Sequence, residues 1–445
     1  MSFRSKFLSK SNTKGGKNVE EEKQRPTQAV FAAGKRFVSV LRRGKKEKAF
    51  IPADDRRSLY LCFGEYEDGN KVSYTILSVS LRQLLAAPPR KLKLFAKISG
   101  DGIPRYMGCG VWGSKILLGG GAKPMYMHCP MNGQPVFGLL QHHEVRKFYC
   151  FETGNGNGND MMVEPPKMLK GSIQPLLVEV DTKLYALGKA FSTFEMFDGH
   201  NWHELPTPPH ATFFSYPFTK SHPDWKNDTY YAVAGTNILV SDGRSSFRFD
   251  TTDPDQSWRR LLNESGFDYD RFTFKGTSLV VNDGKQFVLF TFQLSAGHHI
   301  SVHLISYDFS IIKQDYSRVQ LPSYLMNYKD DHLGQLPLAN YSMVHLGDNT
   351  ACLLLSELRL SGVDYAKKKR IRCVEPVVFT FKVRDNATSS LKVKFLPRTP
   401  MLIYDEDNND DVDVPPRAGQ MLGAFLLEIS QVKISCNSQE HLAVE

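Results

Sequence analysis

The chain contains no apolar run approaching the roughly 20 residues that a membrane-crossing helix requires, and no apolar core follows its basic N-terminus as a secretory signal would need. No membrane partner is expected. Cysteine is sparse: Cys62, Cys109, Cys129, Cys150, Cys352, Cys373 and Cys436 are an odd number, widely spaced, and several sit inside apolar runs. The pattern predicts thiols packed as small hydrophobes, not a disulfide framework. The expected setting is cytoplasmic or nuclear. Asn-x-Ser/Thr sequences such as Asn227-Asp228-Thr229 are then chance matches.

Catalytic signatures are missing too. Gly119-Gly120-Gly121 lacks the Lys-Ser/Thr of a phosphate loop, and no helical pattern follows it. There is no Gly-x-Ser-x-Gly elbow, and no carboxylate pair that spacing alone would bring together. The best set of metal ligands is Met127-His128-Cys129 with His142-His143 and Cys150. Its spacings match no zinc finger or ribbon, and strand alternation sends neighbouring side chains to opposite faces. No cofactor and no catalytic residue is assigned. His298-His299 falls between two runs and is expected in a solvated loop.

The body also lacks a charge excess. The formal net charge is +9, but 14 of the 56 Lys and Arg and only 4 of the 47 Asp and Glu lie in residues 1–50, leaving 42 against 43 elsewhere. All the basic excess sits in an N-terminal arm, which argues against nucleic-acid binding by the rest. Residues 1–28 have the polar, Lys/Ser/Gly-rich composition of a disordered tail. Their first 19 residues carry five basic side chains and no acid, so organellar targeting stays open. Val30–Lys48 reads as an amphipathic basic helix or a lead-in strand, and Arg42-Arg43-Gly44-Lys45-Lys46 would suit nuclear import or an acidic partner.

What is abundant is short strand. Hydrophobic residues make up 41 % of the chain, with 29 Phe and 18 Tyr against 4 Trp. The clearest stretch is Leu176–Pro206. An alternating run turns at Asp181-Thr182 and returns to Gly188, a second run ends in Phe197-Asp198, and Trp202 precedes Leu205-Pro206. Such runs of about four to six residues between Gly, Asp and Asn are strands joined by tight turns. Four of them make one sheet, and one sheet cannot bury both of its faces. It needs copies of itself as neighbours.

Copies are present. Residues 230–258 repeat the order, with Phe247-Arg248-Phe249-Asp250 followed by Trp258. Strand runs at 58–63, 73–79 and 91–95 form another group, and 106–112, 115–118 and 145–151 a further one, with Gly119-Gly120-Gly121 at its second turn. Two more groups, 278–307 with an Asp283-Gly284 turn and 341–396, rest on alternation alone. Asp68-Gly69 is a second hairpin signal, and Gly154–Asp160 reads as flexible linker. The count is six groups, with seven as the alternative.

The repeat resembles kelch: an apolar strand ending in a glycine pair, an aromatic residue before Asp, and a Trp before a Leu-Pro exit. Leu187-Gly188 keeps one glycine, with Lys189 in place of the second. The resemblance implies an all-β fold, a single β-propeller of about six four-stranded blades around a channel, behind a disordered basic N-terminal arm. The expected division is 1–50 for the arm, 57–400 for the propeller, and 401–445 for an acidic loop (Asp405–Asp411) and a C-terminal segment. Closure of the ring requires a strand from one terminus, either from Phe50-Ile51 onward or from Leu422–Ile429.

The style is similar to plant F-box-associated kelch proteins, whose propellers select substrates for ubiquitin ligases, although residues 1–56 show no F-box helical set. It implies a non-enzymatic module that holds a protein partner through its loops. His222 and Trp225, in the polar loop His222–Lys226, are the candidate binding residues. The alternative is an enzyme or ligand-binding protein with its site at the channel mouth. Galactose oxidase shares the kelch propeller, but its copper-radical chemistry needs a Tyr/His/Cys cluster not found in this sequence. A third reading gives the arm to nucleic acid and the propeller to protein.

Overall fold

The computed structural model describes residues 56–428, apart from 67–71, 86–89, 101, 124–125, 129–134, 138–144, 154–165, 189–191, 210–229, 243–244, 254, 256, 262–271, 273, 275–276, 293–298, 311, 324–339, 362–368, 384–390 and 406–419. All described residues belong to the compact unit Ile51–Glu445. The elements are almost entirely short antiparallel strands, forming six sheets in a ring, a six-bladed β-propeller. The N-terminal arm lies outside the described residues.

Blade 1 runs Gln420–Glu428, Arg57–Tyr66, Val72–Ser80 and Lys93–Gly100 from the axis outward. Blade 2 has Gly108–Trp112, Lys115–Gly119 and Phe148–Glu152; among the described residues it has three strands rather than four. Blade 3 is Leu176–Val180, Lys183–Leu187, Phe194–Phe197 and Trp202–Glu204, and blade 4 is Tyr230–Ala234, Asn237–Ser241, Ser246–Asp250 and Trp258–Arg260. Blade 5 is Thr277–Asn282, Phe287–Phe292, His299–Ile305 and Ile312–Gln320. Its fourth strand goes beyond the sequence expectation, and His299 opens a strand instead of lying in a loop.

Blade 6 departs most from a plain repeat. Asn340–Gly347 and Thr350–Ser361 pair with a long strand, Lys369–Val383, whose outer side takes two partners: Leu402–Asp405 on Ile371–Val374 and Leu391–Phe395 on Phe379–Val383. Pro376, which has no N–H to give, lies in the gap between them. Lys91, assigned from sequence with 92–95 to the outer strand of blade 1, instead belongs with Arg90 to a two-residue strand that adds in parallel to Leu402–Asp405. A separate hairpin, Tyr126–His128 with Pro135–Phe137, interrupts blade 2.

Each sheet buries its two faces against its two neighbours, and the apolar core is accordingly six clusters, one per seam. Blades 1 and 2 share Cys62, Tyr74, Met107 and Tyr149; blades 2 and 3 share Leu117, Phe148, Phe197 and Trp202. Blades 3 and 4 share Phe194, Leu205, Val240 and Phe249; blades 4 and 5 share Leu239, Phe274, Leu289 and Ile305. Blades 5 and 6 meet at Phe290, Phe292, Leu353 and Phe379, and the ring closes between blades 6 and 1 on Leu61, Phe63, Val344, Leu354 and Val374. Cys62, Cys109, Cys150, Cys352 and Cys373 are buried thiols not joined in disulfides, packed as small hydrophobes.

Closure is made by the C-terminal segment. Gln420–Glu428 pairs with Arg57–Tyr66 and becomes the innermost strand of blade 1. Met421 and Ala424 enter the closing seam while Leu422 and Phe425 pack into the next. At the same seam Arg372 of blade 6 and Glu65 of blade 1 form a buried ion pair, with the guanidinium 4.0 Å above the Phe63 ring.

Near the axis, space decides sequence. A Cβ on Gly108 would lie 1.8 Å from the Pro175 carbonyl oxygen, and one on Gly110 2.4 Å from that of Leu177. The innermost strands of blades 2 and 3 therefore touch backbone to backbone, which only glycine permits.

Candidate functional site

The two ends of the propeller are built differently. At one end, innermost strands turn into second strands through Gly113-Ser114, Asp181-Thr182, Gly235-Thr236 and Asp348-Asn349, and in blades 3, 4 and 5 third strands pass to fourth strands by short corners. The segments between blades, residues 153–175, 205–229, 261–276 and 321–339, leave and enter the sheets at the other end. Connections of that length are uncommon inside compact domains and are usually either functional or linker segments.

The short-turn end is a braced scaffold. Asp181 and Thr182 both have positive φ, 51° and 66°, the conformation of a primed hairpin turn. The Trp112 indole donates to the Thr182 carbonyl at 2.9 Å, and Gly113 N–H donates to Glu179 at 2.7 Å, joining the turns of blades 2 and 3. The aromatic-Asp step marks the corner of three successive blades. Asp198 Oδ1 accepts from His200 and Asn201 N–H; Asp250 Oδ1 accepts from Thr252 N–H and Oγ1; Asp308 Oδ1 accepts from Ser310 N–H and Oγ and from Ser306 Oγ. Hydrogen bonds from Ser306 and Ser310 hold the Asp308 carboxyl down to about 2, and those from Asn201, His203 and His200 lower Asp198 further.

The Trp of the repeat links one blade to the previous one. The Trp202 indole donates to the Pro166 carbonyl at 2.7 Å, and the Trp258 indole to the Pro206 carbonyl at 2.6 Å. The Leu-Pro exit thus supplies the acceptor for the next blade's Trp.

At the long-connection end, Gly120 and Gly121 (φ 72° and 95°) bring their N–H groups to the Lys147 and Ser172 carbonyls, where a side chain on either would strike backbone. Tyr106 and Gln174, both at positive φ, are bonded through Gln174 N–H to the Tyr106 carbonyl. Tyr231, near this end of blade 4's innermost strand, is 38 % exposed. Yet the protein around it, and then the Cys109 thiol of blade 2, push its phenol up to about 12. It is accessible to water and still walled in by protein. The Cys109 thiol is itself raised by burial and by its hydrogen bond with Cys62.

His222 and Trp225 fall in the connection between Glu204 and Tyr230, outside the described residues. Of the six metal-ligand candidates only Cys150 has a described side chain, and it is buried in the seam between blades 2 and 3. No three His, Cys, Asp or Glu side chains converge as ligands among the described residues. Tyr231 was not singled out from sequence, because Tyr230-Tyr231 looks like any other strand pair until the blade is placed on an axis.

These features define a six-bladed β-propeller with one braced end and one end of long connections. The pattern of the family described as "Protein of unknown function (DUF1668)" matches residues 156–394, more than half of the chain, and the chain belongs to that family. Among solved structures, it is similar to YjhT at 12 % identity and a TM-score of 0.38, covering 75 % of this chain and 97 % of that one. It is also similar to the N-terminal domain of Nup159, at 6 % identity and a TM-score of 0.29, covering 79 % and 68 %. A GH43 β-xylosidase/α-arabinofuranosidase from a compost microbial metagenome, CoXyl43, is similar at 12 % identity and a TM-score of 0.29, covering 64 % and 94 %. At these scores no activity transfers. No curated protein matches the chain.

Proposed function

We propose that the chain is a non-enzymatic, kelch-like recognition module that holds a protein partner at its long-connection end, in the cytoplasm or nucleus. The observation that carries this reading is the difference between the two ends. Short turns brace one end through Asp corners and indole bonds, while the long inter-blade connections leave and enter the sheets at the other, where Tyr231 is exposed. Variable segments on a rigid ring are a general solution for recognition. A substrate-selecting role in ubiquitin pathways would follow the F-box-associated likeness, and the basic arm would add an acidic partner surface.

The test is site-directed photo-crosslinking, with a benzophenone amino acid at position 231 and, as the control, at position 307 on the braced end. A discrete protein adduct from position 231, absent from position 307 and competed by the purified partner, is the expected result. Adducts of equal yield from both positions, or none from 231, would remove the proposal. Stoichiometric copper or zinc in the purified protein would turn the reading toward an enzyme.

A further inference from the structure

The innermost strands differ in burial from the strands beside them. Of the second strands, Asn237–Ser241 and Phe287–Phe292 are buried along their whole length, and Lys115–Gly119 and Lys183–Leu187 at all but their first residue. One strand nearer the axis, contact with water returns. Val178, Val233 and Val280, midway along the innermost strands of blades 3, 4 and 5, are partly exposed. A side chain at such a position has a packed seam on either face of its sheet and a paired strand behind it, so the opening that remains is toward the axis.

The lining is apolar and almost without charge. Of all Asp, Glu, His, Lys and Arg residues, the six innermost strands hold Glu179, His345 and Glu428 alone. All three stand toward the braced end. Glu179 accepts from Gly113 N–H at 2.7 Å, His345 Nε2 lies 2.7 Å from the Asp348 carbonyl, and Glu428 ends its strand opposite Arg57. Toward the long-connection end, Tyr231 is the most exposed of the described side chains on these strands. The protein around its phenol pushes it up to about 12, so it stands there as a neutral O–H.

We propose that the axis is an apolar channel that binds one small, neutral, largely apolar molecule, entered at the long-connection end and oriented by a hydrogen bond from the Tyr231 hydroxyl to a single acceptor on the ligand. Apolar walls with a few placed polar groups are the usual composition of small-molecule sites, and aliphatic side chains compensate no charge. The lining is also deep. Leu422 and Leu427 of blade 1 are both partly exposed, and the strand between them is about 17 Å long. That exceeds the reach of one side chain on a partner's surface, which favours a free molecule over a protein segment. The site fills whether or not a protein partner is bound to the connections around it.

Benzophenone, a neutral diaryl ketone with one carbonyl acceptor, is equilibrated with the full chain and irradiated, and its adducts are located by peptide mass spectrometry. Saturable labelling at one adduct per chain is expected, in peptides holding Val178, Val233 or Val280. Tyr231→Phe removes the donor and should raise the half-saturating concentration about 2- to 10-fold. Tyr231→Arg, which sets a charge at the entrance, should raise it further, and Leu94→Arg, at an exposed position on the outer strand of blade 1, should leave it unchanged. No labelling, non-saturable labelling spread over the exposed Leu94, Leu169 and Tyr307, or a midpoint that both Tyr231 variants leave unchanged would overturn the proposal. Adducts confined to Leu176 and Tyr231 would do so too, since a site that shallow takes a partner's side chain and no more. Should Tyr231→Arg not fold, Tyr231→Phe and the wild-type adduct map decide.

Discussion

At the scale of single residues, the propeller depends on positions where chemistry leaves one choice. Gly110 faces the Leu177 backbone, so Gly110→Ala must push two innermost strands apart. The expected loss is about 3 kcal/mol or more, measured by urea unfolding. Arg372→Ala would remove the guanidinium paired with the buried Glu65 carboxylate in the closing seam. A loss of about 3–5 kcal/mol is expected, most of it recovered when Glu65→Gln and Arg372→Met are combined, because no unpaired charge is then buried. The corner aspartates give a pH dependence of their own. Asp308 has a folded-state value below its unfolded one, so its contribution is present above about pH 4 and lost as the pH falls toward 2. Asp308→Asn keeps the acceptor for Ser310 and should flatten that part of an acid-unfolding curve.

At the scale of the element, the blade is a unit that hands one bond to its neighbour. Trp258 packs with Phe194 and Phe249 at ring distances of 5.3 and 5.2 Å and also donates to Pro206. Trp258→Phe retains most of the packing and removes the donor. A loss of about 1 kcal/mol is expected, with increased amide exchange at Leu205, whose N–H is bonded to the Phe194 carbonyl. Blade 6 shows how far an element can drift while doing the same work. Its third strand divides its outer edge between two partners, and Arg398 forks onto the buried Glu375 beside the gap. Only the burial requirement is common to all six blades.

At the scale of the whole molecule, the ring is closed by Gln420–Glu428, and that strand supports two seams at once. Ending the chain at residue 418 would expose the edge of Arg57–Tyr66 and unplug both clusters. The shortened protein should lose its cooperative thermal transition or associate through the open edge. A synthetic peptide of residues 418–430 should restore a monomer, as read by size-exclusion chromatography and circular dichroism. The same construction explains what could be read in advance. Blades 3 and 4 were plain because their turns, aromatic-Asp corners and Trp residues are local features. The outer strand of blade 5 and the pairing of Arg90–Lys91 with blade 6 were not: Ile312–Gln320 is mostly polar and carries no Trp after its Tyr307-Asp308 corner, and a two-residue strand has no periodicity of its own.

The amino-acid order by itself determined that short alternating strands would dominate and that sheets so small must pack on copies of themselves, since propensity and alternation act over a few residues. It also placed glycine at the crowded turns and the basic excess in the arm. Tertiary structure alone decided that there are six blades and that the C-terminal segment closes them. It also joined Glu65 to Arg372 across more than 300 residues, left Tyr231 exposed and buried His303. Those outcomes depend on contacts between distant residues, which exist only once the ring is complete.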